Sequence, residues 1–209
     1  MADKAERIGI SGGTFDPIHY GHLIIAEETR ENLELDRVIF IPAGKPPHKE
    51  AAAVSDAEHR YRMVCEAVGT NPFFEASDIE IKRPGYTYTV DTLKELKAAY
   101  GEDAKLYFIT GADVIRELMT WKECGKVFEM CEFVAAPRPG YDKDDMAGMM
   151  KCLADRFNAV IHVAEAPLVG ISSTQIREKT KKGKSIKYLV PESVERYIYE
   201  NGLYRQGRA

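Results

Sequence analysis

The 209-residue sequence predicts an α/β fold, a single domain over residues 1–209 with a mostly parallel sheet and a helical C-terminal tail. Three observations lead there. Short apolar runs rich in β-branched residues alternate with helix-length segments almost from end to end, which is the pattern of βαβ units. The length fits one domain at roughly 100–200 residues and can bury a substantial core without staples. No internal repeat or low-complexity stretch interrupts the alternation, so no boundary divides the chain.

Taken in order, Arg7 to Ser11 reads as a buried strand and Tyr20 to Asn32 as a helix. Arg37 to Ile41 is a second strand, stopped by Pro42, and Ala57 to Val68 is a helix ended by Gly69 and Pro72. Phe73 to Ile81 reads as extended, and Thr89 to Tyr100 as a helix closed by Gly101. Further strands are expected at Lys105 to Thr110, Glu132 to Ala136 and Val160 to Val163. Helices fill the gaps at Asp113 to Met119, Gly125 to Met130 and Asp142 to Phe157. Two more form the tail, Ser173 to Lys181 and Pro191 to Asn201.

Composition excludes several classes of function. Lys and Arg number 29 against 33 Asp and Glu, a net charge of −4, so no general cationic surface serves nucleic acid or an anionic membrane. Neither is expected as a partner. Cys65, Cys124, Cys131 and Cys152 form no C-x-x-C pair and no zinc-spaced cluster, which predicts reduced thiols in a reducing compartment. Met1 to Glu6 carries three charged residues and does not resemble a signal peptide. No apolar run approaches the roughly 20 residues of a membrane span. A cytoplasmic protein is expected.

In a parallel α/β sheet, ligands bind beyond the carboxyl ends of the strands. After the first strand comes Gly12-Gly13-Thr14-Phe15-Asp16-Pro17-Ile18-His19-Tyr20-Gly21-His22. Glycines without a Cβ are expected to let the backbone turn sharply and approach a ligand. Turn amides and the positive end of the following helix favour an anion. His19 and His22, three apart, share a helix face and suit a phosphate-rich ligand. The segment is neither a Walker A loop nor a dinucleotide G-x-G-x-x-G. A zinc site is not expected, because no third ligand lies at sensible spacing.

A second candidate clamp lies at Ile171-Ser172-Ser173-Thr174-Gln175-Ile176-Arg177. Capping of the next helix accounts for one hydroxyl. It does not account for Arg177, one turn inside the helix, where a guanidinium is unfavourable unless an anion lies between it and the helix start.

Together the two segments resemble the nucleotidyltransferase superfamily marked by G-x-F-x-P-x-H-x-G-H and a later S-x-T-x-x-R, here at Gly13 to His22 and Ser172 to Arg177. The resemblance implies a Rossmann-like parallel sheet with helices on both faces and activation of a nucleoside triphosphate. Within the superfamily the chain is similar to bacterial nicotinate-mononucleotide adenylyltransferases nearly end to end, including Tyr188 to Pro191 and Tyr197 to Tyr204. Four local features carry that likeness: Ile41 to Lys49, Lys82 to Thr92, Phe108 to Asp113, and Trp121.

The resemblance implies that ATP and nicotinate mononucleotide are joined to give nicotinate adenine dinucleotide and pyrophosphate. It implies an ATP site of Gly12, Gly13, Thr14, Phe15, His22, Gly111, Asp113, Ser173, Thr174 and Arg177, with His19, His22, Thr14 and Arg177 catalytic. Asp16, His48, Lys49, Thr89, Trp121 and Arg138 would hold the acceptor. Trp121 would stack on the pyridine ring, although alone it reads equally as a core aromatic. His48 and Lys49 would reach the acceptor phosphate, although their loop reads nearly as well as a solvent-exposed one. No protein metal site is implied; Mg²⁺ would be held mainly by the ATP phosphates. Other acceptors, nicotinamide mononucleotide or phosphopantetheine, and a non-catalytic nucleotide sensor stay open, as does a homo-oligomer.

Overall fold

The strands lie at β1 (Arg7–Gly13), β2 (Arg37–Pro42), β3 (Phe74–Ala76), β4 (Lys105–Gly111), β5 (Cys131–Ala136) and β6 (Ile161–Val163). They form one sheet in the order β3-β2-β1-β4-β5-β6, with every neighbouring pair parallel. The protein, a computed structural model, is described over residues 5–45, 54–137 and 143–205, with the backbone alone at Lys143.

Successive strand residues face opposite sides, so a sheet covered on both faces must be apolar at consecutive positions. That is why these strands read as unbroken apolar runs. Ile39, Ile41, Leu106, Phe108, Phe133 and Ala135 pack on one face. There they meet α4 (Thr89–Tyr100), α5 (Ala112–Ile115), α6 (Cys124–Met130) and α7 (Lys143–Phe157). Val38, Phe40, Tyr107, Ile109, Val134 and Ala136 point the other way. They meet α1 (Tyr20–Asn32), α2 (Ala57–Val68), α8 (Ser173–Lys181) and α9 (Glu192–Glu200). The expected Rossmann-like fold with helices on both faces is therefore found.

The helical tail is docked onto α2. Val194 and Ile198 are fully buried in the same core as Met63 and Val64, each worth roughly 1.5–3 kcal/mol before ordering costs. Ser193 Oγ donates to the Glu66 carbonyl at 2.9 Å, and Tyr197 Oη lies 3.0 Å from His59 Nδ1.

Three expectations are corrected. Gly12 and Gly13 do not make the turn after β1; both continue the strand, and Gly13 pairs with Pro42. The chain turns at Phe15, whose φ is 49°. Phe73 to Ile81 is not one extended segment: β3 ends at Ala76, and a short helix α3 (Ile79–Lys82) follows Asp78. Ser77 and Asp78 are helix-start residues, and they override the alternating Ile-Glu-Ile pattern. The helix expected over Asp113 to Met119 is split into α5 and a 3₁₀ turn at Leu118–Thr120, after which Trp121 returns to the core.

The register places Pro42, Gly13, Gly111 and Ala136 at one edge, as the carboxyl ends of four neighbouring strands. The strand order reverses between β1 and β4, where open parallel sheets form their ligand crevice. The Thr14–His22 segment follows β1 at this edge, and Asp113 follows β4. Among the described residues no helix is long and apolar enough to cross a membrane.

Candidate active site

The two phosphate-type segments meet. Ser172 caps α8, accepting from the Gln175 N–H at 3.2 Å, as Ser commonly does. The next hydroxyl, Ser173 Oγ, donates to the Pro17 carbonyl at 2.9 Å. Arg177 Nη1 donates to the Asp16 carbonyl at 2.8 Å, and its Nη2 reaches Thr174 Oγ1 at 3.4 Å. One guanidinium thus spans both motifs. The Asp16 carbonyl meets part of the cost of a cation at a helix start, so that cost does not fall wholly on an anion.

At the start of α1 the imidazoles of His19 and His22 stack, 3.7 Å between centroids and 23° between planes. Gly21 makes this possible, since a Cβ there would lie 3.0 Å from the His19 ring. His19 is the N-cap residue and is 6% exposed. Its backbone N–H donates to His22 Nδ1 at 3.2 Å. With Nδ1 accepting, the proton of a neutral His22 ring sits on Nε2. The Phe15 ring, 2% exposed, stands edge-on to His22 at 5.0 Å and also packs on Phe40. Its side chain supports the imidazole from below, so any ligand contact at Phe15 falls to its backbone.

Asp16 faces inward. Its carboxylate is 4% exposed, accepting from Tyr204 Oη at 2.6 Å and from the Ser55 N–H at 3.2 Å. Behind the turn lies Arg60 of α2, 2% exposed, donating to the carbonyls of Thr14 (2.8 Å), Ser55 (3.0 Å) and Gly44 (3.3 Å). Burial lowers the Arg60 pKa, opposed chiefly by the Asp16 charge. Burial, then the same carboxylate, raises that of Tyr204.

A second group of residues assembles beside this. Gly111 ends β4 and Asp113 lies exposed in α5, next to β1. Trp121 is partly buried, edge-on to Phe108 at 5.8 Å and to Phe133 at 6.2 Å. Lys122 reaches Asp91 at 3.5 Å and sits 4.3 Å from the Tyr88 ring centroid, tying the Trp121 turn to the start of α4. Thr89 is the first residue of α4, and Tyr88 before it provides no side-chain cap. The Thr87 N–H donates to the Lys45 carbonyl, joining the loop after β2 to the same place. His48, Lys49 and Arg138 lie outside the described residues. Among the described residues no group of three or more His, Cys, Asp or Glu could hold a metal ion.

A family profile described as cytidylyltransferase-like matches residues 10–179, from β1 through Arg177. The chain belongs to the cytidylyltransferase-like family. A probable nicotinate-nucleotide adenylyltransferase of Thermoanaerobacter sp. is 54% identical over 204 residues, covering 98% of this chain and 97% of the relative. A protein of the same name from Moorella thermoacetica is 50% identical over 205 residues, covering 98% and 94%. The nicotinic acid mononucleotide adenylyltransferase of Plasmodium falciparum, solved in complex with NaAD, superposes with a TM-score of 0.78. It is 22% identical, covers 95% of this chain and 97% of its own, and so speaks to the fold.

Within this cytidylyltransferase-like chain, sequence reasoning missed Arg60, Ser55 and the role of Tyr204. Arg60 carried a signal. It occupies the same helix stripe as the buried Met63, Val64, Ala67 and Val68, where an apolar residue is expected. Tyr204 carried none, because its partner Asp16 is 188 residues away.

Proposed function

We propose that the protein is a nicotinate-nucleotide adenylyltransferase, joining ATP and nicotinate mononucleotide to give nicotinate adenine dinucleotide and pyrophosphate in NAD biosynthesis. The observation that carries this is the contact between the two motifs, Ser173 on Pro17 and Arg177 on Asp16, which lets one triphosphate touch both. Relatives at half identity or better over almost the whole chain bear the same name.

An oxygen of the acceptor phosphate attacks the α-phosphorus of ATP. The bond from that phosphorus to the bridging oxygen breaks, and pyrophosphate leaves with the electron pair. The attacking oxygen is already ionised at neutral pH, so the protein needs no general base. Its task is alignment and neutralisation of charge growing on the leaving group. His22 donates from Nε2, and His19 stacked behind it keeps that ring in place. Thr14, Thr174 and Arg177 bind the β- and γ-phosphates together with the backbone N–H of Ser173 at the start of α8, the Ser173 hydroxyl being held by the Pro17 carbonyl, and Gly12 and Gly13 present backbone beside them. Gly111 and Asp113 receive the ribose end of ATP.

The acceptor lies between Trp121, stacked on its pyridine ring, and the uncapped start of α4 at Thr89. The positive end of a helix favours the carboxylate of nicotinate over a neutral amide. His48, Lys49 and Arg138 complete the acceptor side, and Asp16 serves through the shape of its turn. Mg²⁺ would be held by the triphosphate oxygens, as is usual for that ion, and when bound it would neutralise phosphate charge.

An acceptor panel with ATP and Mg²⁺, read as pyrophosphate release, tests the reading. Nicotinate mononucleotide is expected to outpace nicotinamide mononucleotide and phosphopantetheine. Turnover with phosphopantetheine alone, or none with any acceptor, defeats it.

A further inference from the structure

Arg60 and the Asp16 carboxylate are costly where they stand. A guanidinium 2% exposed has lost its water and keeps three backbone carbonyls in exchange. An apolar residue on that stripe of α2 would commonly stabilise the fold more. The Asp16 carboxylate, also buried, is held between a phenol from the C-terminal tail and the Ser55 amide. Both clusters converge on three consecutive residues, Thr14, Phe15 and Asp16, immediately ahead of the stacked imidazoles.

Those three residues contain a strained turn. Phe15 has φ 49°, a region that costs a non-glycine residue about 1–2 kcal/mol. Such a conformation persists only where its surroundings over-determine it. Here the Thr14 carbonyl is fixed by Arg60, the Asp16 carbonyl by Arg177 and the Asp16 carboxylate by Tyr204. In a trans peptide the carbonyl and the next N–H point opposite ways. Anchoring the Thr14 carbonyl on Arg60 therefore turns the Phe15 N–H away from the core. The Phe15 ring, carried by the same strained residue, sets the edge against which His22 rests.

We propose that Arg60 and Tyr204 are positioning residues for adenylyl transfer: from α2 and from the C-terminal tail they lock the Thr14–Asp16 turn in the strained pose that aims its amide and His22 at the triphosphate. Neither touches substrate. The inference deepens the adenylyltransferase reading and rests on it. Because the tail reaches the turn only when α9 is docked on α2, completion of the C-terminus also sets the catalytic geometry at the first strand.

The test is Tyr204→Phe, which keeps the ring and deletes one hydroxyl, with Arg60→Lys, which keeps charge and deletes the planar fork. Both are compared with wild type for kcat, both KM values, and folded fraction by circular dichroism under the assay conditions. The expected result is a fall in kcat of about 10- to 100-fold, with each KM within about twofold of wild type and the protein folded. A kcat within about twofold of wild type overturns the proposal. So does a loss of activity that merely follows the folded fraction, which would make the cluster structural. Wild-type pyrophosphate release on nicotinate mononucleotide, measured in parallel, separates failure of this inference from failure of the activity itself.

Discussion

Gly44→Ala tests how closely the acceptor side is built. Gly44 lies between Arg60, which donates to its carbonyl, and the backbone of α3. A Cβ there would stand 2.2 Å from the Glu80 carbonyl oxygen, 2.8 Å from its carbon and 3.1 Å from Thr87 Cγ2. A carbon and a carbonyl oxygen settle at about 3.3 Å, so loop or helix must yield by about 1 Å. The atoms met first are backbone, which cannot rotate aside. The contacts spanning this joint, Arg60 to the Gly44 carbonyl at 3.3 Å and Thr87 N–H to the Lys45 carbonyl at 3.2 Å, break under such a shift. Overpacking of this kind costs about 1–3 kcal/mol of stability. A 1 Å misplacement in a site of this kind costs about 100-fold in rate. We expect kcat/KM for nicotinate mononucleotide to fall by about that factor, with KM for ATP far less changed, in steady-state assays that vary each substrate in turn. A variant with both substrates' parameters within about twofold of wild type would refute the packing argument.

Three further outcomes are expected. His22→Ala lowers kcat by about 10²–10³-fold while KM for ATP moves little; near wild-type turnover by the purified variant would remove His22 from the chemistry. Trp121→Leu loses a stacking surface worth about 1–3 kcal/mol, so KM for nicotinate mononucleotide rises roughly 5- to 150-fold while that for ATP holds. Equal losses for both substrates would place Trp121 in the core alone, with Phe108 and Phe133. In alkali the fold weakens. Burial and Asp16 raise Tyr204, and burial pushes Tyr61 up to about 12, so the folded state keeps protons that the unfolded chain releases from about pH 10. Stability is therefore full below that pH and declines above it, by up to about 1.4 kcal/mol per pH unit for Tyr204 and by less for the more exposed Tyr61. Urea midpoints from pH about 9 to 11 should fall less steeply for Tyr204→Phe than for wild type; identical slopes would contradict the burial of that hydroxyl.

Much of this was legible in the chain because its causes are local. The bounds of α1, α2, α4 and α8 fall at the residues the sequence suggests, since caps, glycine stops and apolar spacing act within one or two turns. The strands were legible as apolar runs because both faces of the sheet are covered. The two motifs were legible because their residues lie close together in the chain and resemble a known signature. Their contact was not, for Ser173 and Pro17 stand 156 positions apart.

Local reasoning failed at the turn after β1. Two glycines looked like the bend, yet they extend the strand, and the chain bends at Phe15. No propensity places a phenylalanine there; the surrounding contacts with Arg60, Arg177 and Tyr204 do. The resemblance assigned Asp16 to the acceptor, and its carboxylate is bound by the protein's own tail.

By itself the amino-acid order determined where most helices and strands lie and which strands are covered on two faces, because backbone propensity and side-chain period are properties of neighbours in the chain. Only the tertiary structure decided that α8 docks against the first turn, that Tyr204 closes over Asp16, and that a buried guanidinium holds the Thr14 carbonyl ahead of the paired imidazoles. Those contacts exist between residues far apart in sequence, and they form only when packing brings distant strands and helices to the same edge of the sheet.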